Sequence, residues 1–152
     1  MNRLTGKINE LSEWLAHIRS MPEVMDHVTH WHTIPAREAK YADFPSDLHP
    51  KLRQMLLHKQ IDRLYTHQAT AFAEIRQGNN VVAVTPTASG KTLCYNLPVL
   101  QTILENDSAR ALYLFPTKAL AQDQLAELYD TIDLIGAEIR THTYDGDTPP
   151  TA

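Results

Sequence analysis

Residues 85–92 form a short segment that combines hydroxyl groups, a glycine and a lysine. It reads Thr-Pro-Thr-Ala-Ser-Gly-Lys-Thr. A glycine lets the backbone approach an anion closely, and the N–H groups of the loop and of a following helix favour negative charge. The lysine adds a mobile charge for phosphates, and a threonine hydroxyl is a ligand that Mg²⁺ accepts. The segment predicts a phosphate-binding loop with these contacts: Thr87, Ala88, Ser89, Gly90, Lys91 and Thr92.

The loop departs from the strict pattern G-x-x-x-x-G-K-[ST] at its first position, where Thr85 stands in place of glycine. Taken alone, Gly90 could be a turn residue and Lys91 a solvated residue at a helix start. The context favours phosphate binding, because an apolar β-branched run precedes the loop and an apolar helical pattern follows it. We therefore expect Lys91 and Thr92 to take part in phosphate chemistry.

Gln68 lies upstream of the loop, at the predicted start of a helix in the segment LYTHQA. A carboxamide donates and accepts hydrogen bonds at once, so Gln68 could bond both N6 and N7 of adenine and select ATP over GTP. Tyr65 could stack on the base. In isolation a glutamine at a helix start is more often a solvated or capping residue, so adenine recognition depends on the loop downstream.

Two further segments carry residues suited to nucleic acid. An apolar run ends in PTK, where Thr117 and Lys118 could hold a phosphate, and the segment TYDGDTP carries Tyr144, which could stack on a base. The alternative for the first segment is a capped helix with Lys118 in solvent. The alternative for the second is an Asp-Gly turn without a function.

The elements that must position these residues follow from the hydrophobic pattern. Apolar runs predict strands over residues 80–85, 109–115 and 137–144, and helical periodicity predicts helices over residues 93–104 and 118–129. This alternation predicts an α/β fold with a doubly wound parallel sheet. The phosphate loop and the PTK segment would then lie at the carboxyl edge of the sheet, where such folds bind ligands.

A helical region precedes the predicted sheet. Apolar residues at helical spacing predict a helix over about residues 7–19 and a second near residues 50–59. A third helix is predicted with Thr66 as its N-terminal cap, running to Gln77, with Gly78 just beyond its end.

The composition limits the class of protein. A chain of 152 residues with 43% apolar and 21% charged residues predicts one globular domain. A net charge of −4 argues against a protein that coats DNA, although a motor can grip one strand through a few groups. No apolar run approaches the roughly 20 residues of a membrane span. The N-terminus does not resemble a secretory signal, so we expect a cytoplasmic protein without membrane contact.

Cysteine and histidine usage gives no sign of a metal site. Cys94 is the single cysteine, which excludes an internal disulfide, and we interpret it as a small buried residue. His27, His30 and His32 do not share one face of any regular structure. These histidines are therefore interpreted as surface or packing residues.

Four segments occur in the order YTHQ, TPTASGKT, PTKALAQDQ and TYDGDTP. They resemble the adenine-recognition motif, motif I, motif Ia and the following single-strand-contact motif of superfamily 2 DEAD/DEAH-type helicases. The segments HWHTIPAREAKYADFP, TPTASGKTLCYNLPVL and LYLFPTKALAQDQ are similar to the bacterial YprA/MrfA-type DNA helicases. That family is related to a fungal RecQ-like helicase and carries a C-terminal cysteine-cluster domain. The resemblance covers about residues 30–149, and Ala88 matches this subfamily where DEAD-box proteins commonly have glycine.

The resemblance implies an ATP-dependent DNA helicase that uses ATP and Mg²⁺, moves 3′ to 5′ along single-stranded DNA and acts in DNA repair. By the same resemblance, Gln68 reads adenine and Thr117 and Lys118 face the DNA strand. The triphosphate and Mg²⁺ would be held by Gly90, Lys91 and Thr92.

The resemblance also implies a partial RecA-like fold of the P-loop NTPase type. Residues 1–60 would form a helical N-terminal extension, and residues 61–152 the first part of RecA-like domain 1. ATP hydrolysis requires further carboxylates and an arginine, but no DExH-type acidic pair follows an apolar strand between Lys91 and Ala152. We therefore expect an N-terminal fragment, inactive alone, whose partners are single-stranded or duplex DNA and the rest of the helicase. Two alternatives are a small P-loop kinase and a truncated, non-catalytic module that binds nucleotide or DNA.

Overall fold

The computed structural model describes residues 11–35, 38–86 and 89–149, and it divides the chain into two units, residues 1–38 and 39–152. This division lies ahead of the boundary predicted at residue 60. Within the described residues, no helix combines the length and the hydrophobicity that crossing a bilayer requires.

The first unit contains two helices in its described part, α1 (Leu11–Arg19) and α2 (Pro22–Met25). Helix α1 confirms the helix predicted over residues 7–19 from Leu11 onward, and the earlier residues lie outside the described range. A proline suits the first turn of α2, because its missing N–H would have no partner there. The Arg19 guanidinium lies 4.3 Å from the ring centroid of Trp31, which is a cation–π contact.

In its described part, the second unit contains four helices and a two-stranded sheet: β1 (Tyr41–Ala42), α3 (Pro50–His58), β2 (Leu64–Tyr65), α4 (Thr66–Arg76), α5 (Lys91–Glu105) and α6 (Lys118–Ile135). The two strands pair antiparallel, with Tyr41 opposite Tyr65 and Ala42 opposite Leu64. Helices α3 and α5 confirm the helices predicted near residues 50–59 and over residues 93–104. The side chain of His49 caps α3 by accepting a hydrogen bond from the backbone N–H of Lys51 at 3.2 Å.

The start of α4 differs from its prediction. Tyr65, not Thr66, occupies the N-cap position, and the backbone N–H of Tyr65 donates to Gln68 Oε1 at 2.9 Å. A glutamine three residues into a helix can reach back in this way and satisfy the backbone N–H of the N-cap residue. The predicted end is confirmed, because Gly78 follows the C-cap Gln77 with a φ of +85°, a conformation that glycine adopts without strain.

The core of the second unit lies between its helices. It consists of Leu48, Leu52, Met55, Leu56, Leu64, Phe72, Leu97, Leu100, Ile132 and Ile135. Helix α6 runs past the predicted end at residue 129 because Ile132 and Ile135 are buried in this core. Helix α3 also belongs to this core, so residues expected in the N-terminal extension help to fix α5 in place.

Helices α4 and α5 lie side by side and run in the same direction. Near their starts, Gln68 Nε2 donates to the carbonyl of Gly90 at 2.8 Å. Near their ends, the Arg76 guanidinium donates two hydrogen bonds to the Glu105 carboxylate, at 2.7 and 3.1 Å. A hydrogen bond from Gln101 and then the bonds from Arg76 lower the pKa of Glu105 from its ordinary value. Because Gln68 bonds to Gly90, the loop before α5 is held against the first turn of α4.

The predicted parallel sheet is absent from the described residues. The segments 80–85, 109–115 and 137–144 form no strands there, and four apolar side chains on the first two are more than 80% exposed: Val82, Val84, Leu112 and Leu114. A parallel strand forms only when neighbouring strands accept and donate its backbone hydrogen bonds. The apolar pattern thus marks surfaces suited to burial, while the described residues provide no pairing partner for these segments.

Candidate nucleotide and nucleic-acid site

The loop predicted to bind phosphate leads directly into α5. Gly90 is the N-cap of this helix and has φ +71° and ψ 33°, in the left-handed region. A Cβ atom at this position would lie 2.6 Å from Gln68 Nε2, so a larger residue would collide with a buried side chain. The position therefore requires glycine for two reasons, conformation and space. Thr87 and Ala88, which were predicted to contact phosphate, lie outside the described residues.

The Lys91 side chain folds back over the loop. Its Nζ donates to the carbonyls of Thr85 and Pro86, both at 2.6 Å, and lies 3.4 Å from Ser89 Oγ. Ser89 Oγ also lies 2.5 Å from Thr85 Oγ1. The ammonium group thus gathers three oxygen atoms of the loop around one positive charge. A phosphate that entered the loop would compete with these oxygens for the same charge.

Gln68 ties the loop to α4. The residue is 3% exposed, its Oε1 accepts from the N–H of Tyr65, and its Nε2 donates to the carbonyl of Gly90. His67 Nε2 lies 3.0 Å from the carbonyl of Ser89 and forms a second link between α4 and the loop. The sequence offered a solvated or capping glutamine as the alternative to adenine recognition. The capping contact is present, through the N–H of Tyr65, but Gln68 is buried rather than solvated and also bridges to the loop.

A group of aromatic rings lies beside this bridge. The rings of Tyr41 and Tyr65 stack with centroids 5.2 Å apart, and those of Tyr65 and His67 with centroids 5.6 Å apart. Tyr65 raises the pKa of Tyr41, first through its charge and then through a hydrogen bond. Sequence reasoning missed Tyr41, because only the pairing of β1 with β2 places it opposite Tyr65.

The face of α5 that turns toward α6 carries Thr92 and Tyr95. Thr92 Oγ1 lies 3.5 Å from Gln124 Oε1, and the Tyr95 hydroxyl donates to the same oxygen at 2.7 Å. Cys94 is buried, as interpreted from the sequence, and burial raises the pKa of its thiol. Gln124 had no sequence signal beyond its place in the segment PTKALAQDQ.

The start of α6 brings together two segments that the sequence placed far apart. Thr117 caps the helix by accepting from the N–H of Leu120 at 3.2 Å. Lys118 forms ion pairs with Asp147 and with Asp145, the latter at 3.8 Å. The capped helix considered as an alternative is therefore present, but Lys118 is paired rather than free in solvent. Tyr144, beside this turn, is 89% exposed.

Comparison with known proteins identifies the family. Residues 65–151 match the DEAD/DEAH box helicase family. The chain belongs to that family. It is 54% identical over 125 residues to the uncharacterized ATP-dependent helicase YprA of Bacillus subtilis (strain 168), a match that covers 82% of this chain and 17% of the relative. It is 41% identical over 121 residues to the ATP-dependent helicase hrq1 of Schizosaccharomyces pombe, covering 78% of this chain and 11% of that one.

A solved helicase structure shares the fold. The crystal structure of the DUF1998 helicase MrfA bound to DNA and AMPPNP superposes with a TM-score of 0.81 at 49% identity, covering 93% of this chain and 19% of that one. The chain therefore spans less than a fifth of the length of these helicases. The family match begins at Tyr65 and so includes Gln68, the phosphate loop and Lys118.

Proposed function

We propose that this chain is the N-terminal ATP-binding segment of an ATP-dependent DNA helicase, acting with Mg²⁺ on single-stranded or duplex DNA. The observation that carries the proposal is Gly90, held in the left-handed conformation at the start of α5 and bonded to Gln68. It occurs in a chain 49% identical to a helicase crystallised with DNA and AMPPNP. The finer fold we propose is the first part of a RecA-like domain, in which the exposed apolar segments join a parallel sheet. We also propose a cytoplasmic location and a role in DNA repair with 3′-to-5′ movement along single-stranded DNA.

The loop and the start of α5 would bind the phosphates of ATP. Lys91 Nζ would exchange its carbonyl partners for phosphate oxygens, and the free N–H groups of the first turn of α5 would point at the same anion. The Thr92 hydroxyl fits a magnesium ligand, since it lies on the first turn of α5 and its contact with Gln124, at 3.5 Å, is long. Bound Mg²⁺ would neutralise charge on the phosphates during transfer. Ser89 is joined to both Thr85 and Lys91 and would shape the loop, with Thr87 and Ala88 supplying further contacts.

Adenine recognition would use the hydrogen-bonding groups of Gln68 that its contacts with Tyr65 and Gly90 do not use. A carboxamide has two N–H groups and two lone pairs, and the structural bridge uses one of each. The remaining lone pair of Oε1 would accept from the N6 amino group of adenine, and the remaining N–H of Nε2 would donate to N7. Tyr65 would contact the base, in competition with the rings of Tyr41 and His67 that already stack on it. The bridge would thereby make the shape of the phosphate loop sensitive to the base.

DNA binding would use the start of α6. Thr117, Lys118 and the free amides of the first turn would hold a phosphate of one strand, and Tyr144 would stack on a base. Since Lys118 already pairs with Asp147, DNA and this carboxylate compete for one ammonium group. The backbone of Asp147 is itself fixed by a hydrogen bond from its N–H to Asp145 Oδ1 at 2.9 Å.

Asp147→Asn is expected to strengthen DNA binding about two- to fivefold at low salt. The exposed ion pair is worth at most about 1 kcal/mol, and its loss also removes a negative charge next to the DNA phosphate. Lys118→Ala is expected to weaken binding and to reduce the slope of log K against log salt by about one. Fluorescence anisotropy of a labelled oligonucleotide at several salt concentrations measures both effects. Asp130→Asn is the control, because this exposed carboxylate lies farther along α6; equal affinities of the three variants and the wild type would contradict the site.

Strand separation by the full-length protein tests the proposed function. Duplexes that carry either a 3′ or a 5′ single-stranded tail are incubated with the protein, ATP and Mg²⁺. Separation of the 3′-tailed duplex alone, and only with hydrolysable ATP, is the expected result. Absence of separation and of DNA-stimulated hydrolysis would refute the helicase function, while separation of the 5′-tailed duplex would refute only the polarity.

A further inference from the structure

Gln124 connects two helices whose first turns carry the proposed nucleotide and DNA contacts. Helix α5 begins at Lys91, in the phosphate loop, and α6 begins at Lys118. The Gln124 side chain reaches from α6 to two hydroxyl groups of α5, those of Thr92 and Tyr95. These two residues are three positions apart and lie on the same face of α5. A single carboxamide oxygen therefore contacts the turn of α5 that holds the phosphate loop.

The Tyr95 hydroxyl is directed at Gln124 by the packing around its ring. The ring of Tyr113 meets that of Tyr95 edge to face, with centroids 5.8 Å apart, and Phe115 stacks on Tyr113 at 6.2 Å. The Tyr113 hydroxyl donates to Asn96 Oδ1 at 2.9 Å, and burial raises the pKa of Tyr113 to about 12. Tyr113 and Phe115 lie on the segment that leads to Thr117, so this packing links α5 to the start of α6.

The geometry at Gln124 suits a hydroxyl that must ligate a cation. A threonine that offers its lone pair to Mg²⁺ needs an acceptor for its own proton, and Gln124 Oε1 is the acceptor that the described residues place beside Thr92. The contact of 3.5 Å is at the limit of a hydrogen bond, whereas the bond to Tyr95 is of ordinary length. Gln124 is therefore held mainly by Tyr95, and its contact with Thr92 is the weaker of the two.

We propose that Gln124 is a positioning residue that couples nucleotide binding at Thr92 to DNA binding at the start of α6. The inference rests on the proposed function. DNA bound at the first turn of α6 would shift this helix and, with it, Gln124. Gln124 would in turn orient the Thr92 hydroxyl toward the metal. Because coupling between two sites is reciprocal, bound nucleotide would change DNA affinity by the same factor.

The test measures this coupling factor in the full-length protein. The affinity for a fluorescent, non-hydrolysable ATP analogue with Mg²⁺ is titrated without DNA and with saturating single-stranded DNA. We expect DNA to change the wild-type affinity by about fivefold or more, within the range typical of coupled sites. Gln124→Leu keeps the bulk of the side chain but removes the acceptor, and it is expected to bring the factor close to one.

Two further variants separate coupling from folding. Tyr95→Phe removes one hydroxyl from the bridge, keeps the ring packing, and is expected to reduce the factor in part. Gln122→Leu makes the same exchange at an exposed position two residues away on α6, and should leave the factor at its wild-type value. The inference would be overturned if both Gln124→Leu and Tyr95→Phe kept the coupling factor of the wild type. It would also be overturned if DNA did not change the nucleotide affinity of the wild type at all. Either result would leave the proposed function standing. A wild-type protein that binds no nucleotide would overturn both.

Discussion

Lys91→Ala is expected to lower the affinity of the full-length protein for ATP by about 10- to 100-fold. A hydrogen bond to a charged group contributes about 1.5–3 kcal/mol, and the Lys91 ammonium is proposed to make such bonds to the phosphates. The variant also loses the contacts of Nζ with the carbonyls of Thr85 and Pro86, so the loop becomes less ordered. Equilibrium titration with a fluorescent ATP analogue measures the effect.

Lys51→Ala is the matched control for charge. Lys51 lies on α3, and its Nζ donates to the carbonyl of Gly136 at 3.1 Å, away from the phosphate loop. Removing this charge should leave nucleotide affinity within about twofold of the wild type, as expected for an exposed surface charge. Equal affinities of Lys91→Ala and Lys51→Ala would show that the loop is not the nucleotide site.

Gly90→Ala is expected to impair nucleotide binding by about tenfold or more and to destabilise the fold around the loop. The left-handed conformation costs a residue with a Cβ about 1–2 kcal/mol. The new Cβ would also lie 2.6 Å from Gln68 Nε2, whose hydrogen bond to the carbonyl of Gly90 fixes the loop against α4. Since Gln68 is buried and bonded at both ends of its carboxamide, it has little freedom to move aside. Chemical denaturation and the ATP-analogue titration together measure the two effects.

Gly78→Ala is the control that separates the backbone strain of a positive φ from the close contact of a new Cβ with Gln68. Gly78 also has a positive φ, of +85°, but a Cβ there would meet nothing within 4 Å. This variant should therefore lose about 1 kcal/mol of stability from the backbone alone and keep its nucleotide affinity. If Gly90→Ala bound the ATP analogue as tightly as Gly78→Ala does, the close contact with Gln68 would have no role in binding.

The helices near the site follow from local sequence features. The helical pattern over residues 93–104 predicts α5, and Gly78 predicts the end of α4. These features are local, so they can be interpreted without knowledge of the rest of the fold. The end of α6 does not follow in the same way, because its last turns are fixed by the burial of Ile132 and Ile135 against other helices.

The role of a polar side chain depended on contacts that no pattern specifies. Gln68 is a ready donor and acceptor in the sequence, but its burial and its bonds to Tyr65 and Gly90 come from the packing of α4 against the loop. The pairing of Lys118 with Asp147 joins residues that are far apart in the chain. The same holds for Gln124, whose partners lie on another helix. Such long-range partners are specified by the tertiary fold, which periodicity alone does not give.

The predicted strands differ from these contacts, because their pattern is clear in the sequence but the described residues do not form them. The apolar runs at residues 80–85 and 109–115 are clear in the sequence, but Val84 and Leu114 are exposed. An apolar, β-branched run predicts a segment suited to burial in a sheet, and pairing decides whether a strand forms. An exposed surface of this kind favours association, so a variant meant to test the site needs its state of assembly checked as well.

The rate of ATP hydrolysis by the full-length protein is measured with and without single-stranded DNA, in the wild type and in Lys91→Ala. We expect DNA to stimulate hydrolysis by the wild type and Lys91→Ala to lose at least about 100-fold of the stimulated rate, because a lost charge contact to the transferred phosphate removes stabilisation of the transition state. Hydrolysis at the wild-type rate in Lys91→Ala, with DNA present, would show that the loop does not serve ATP hydrolysis.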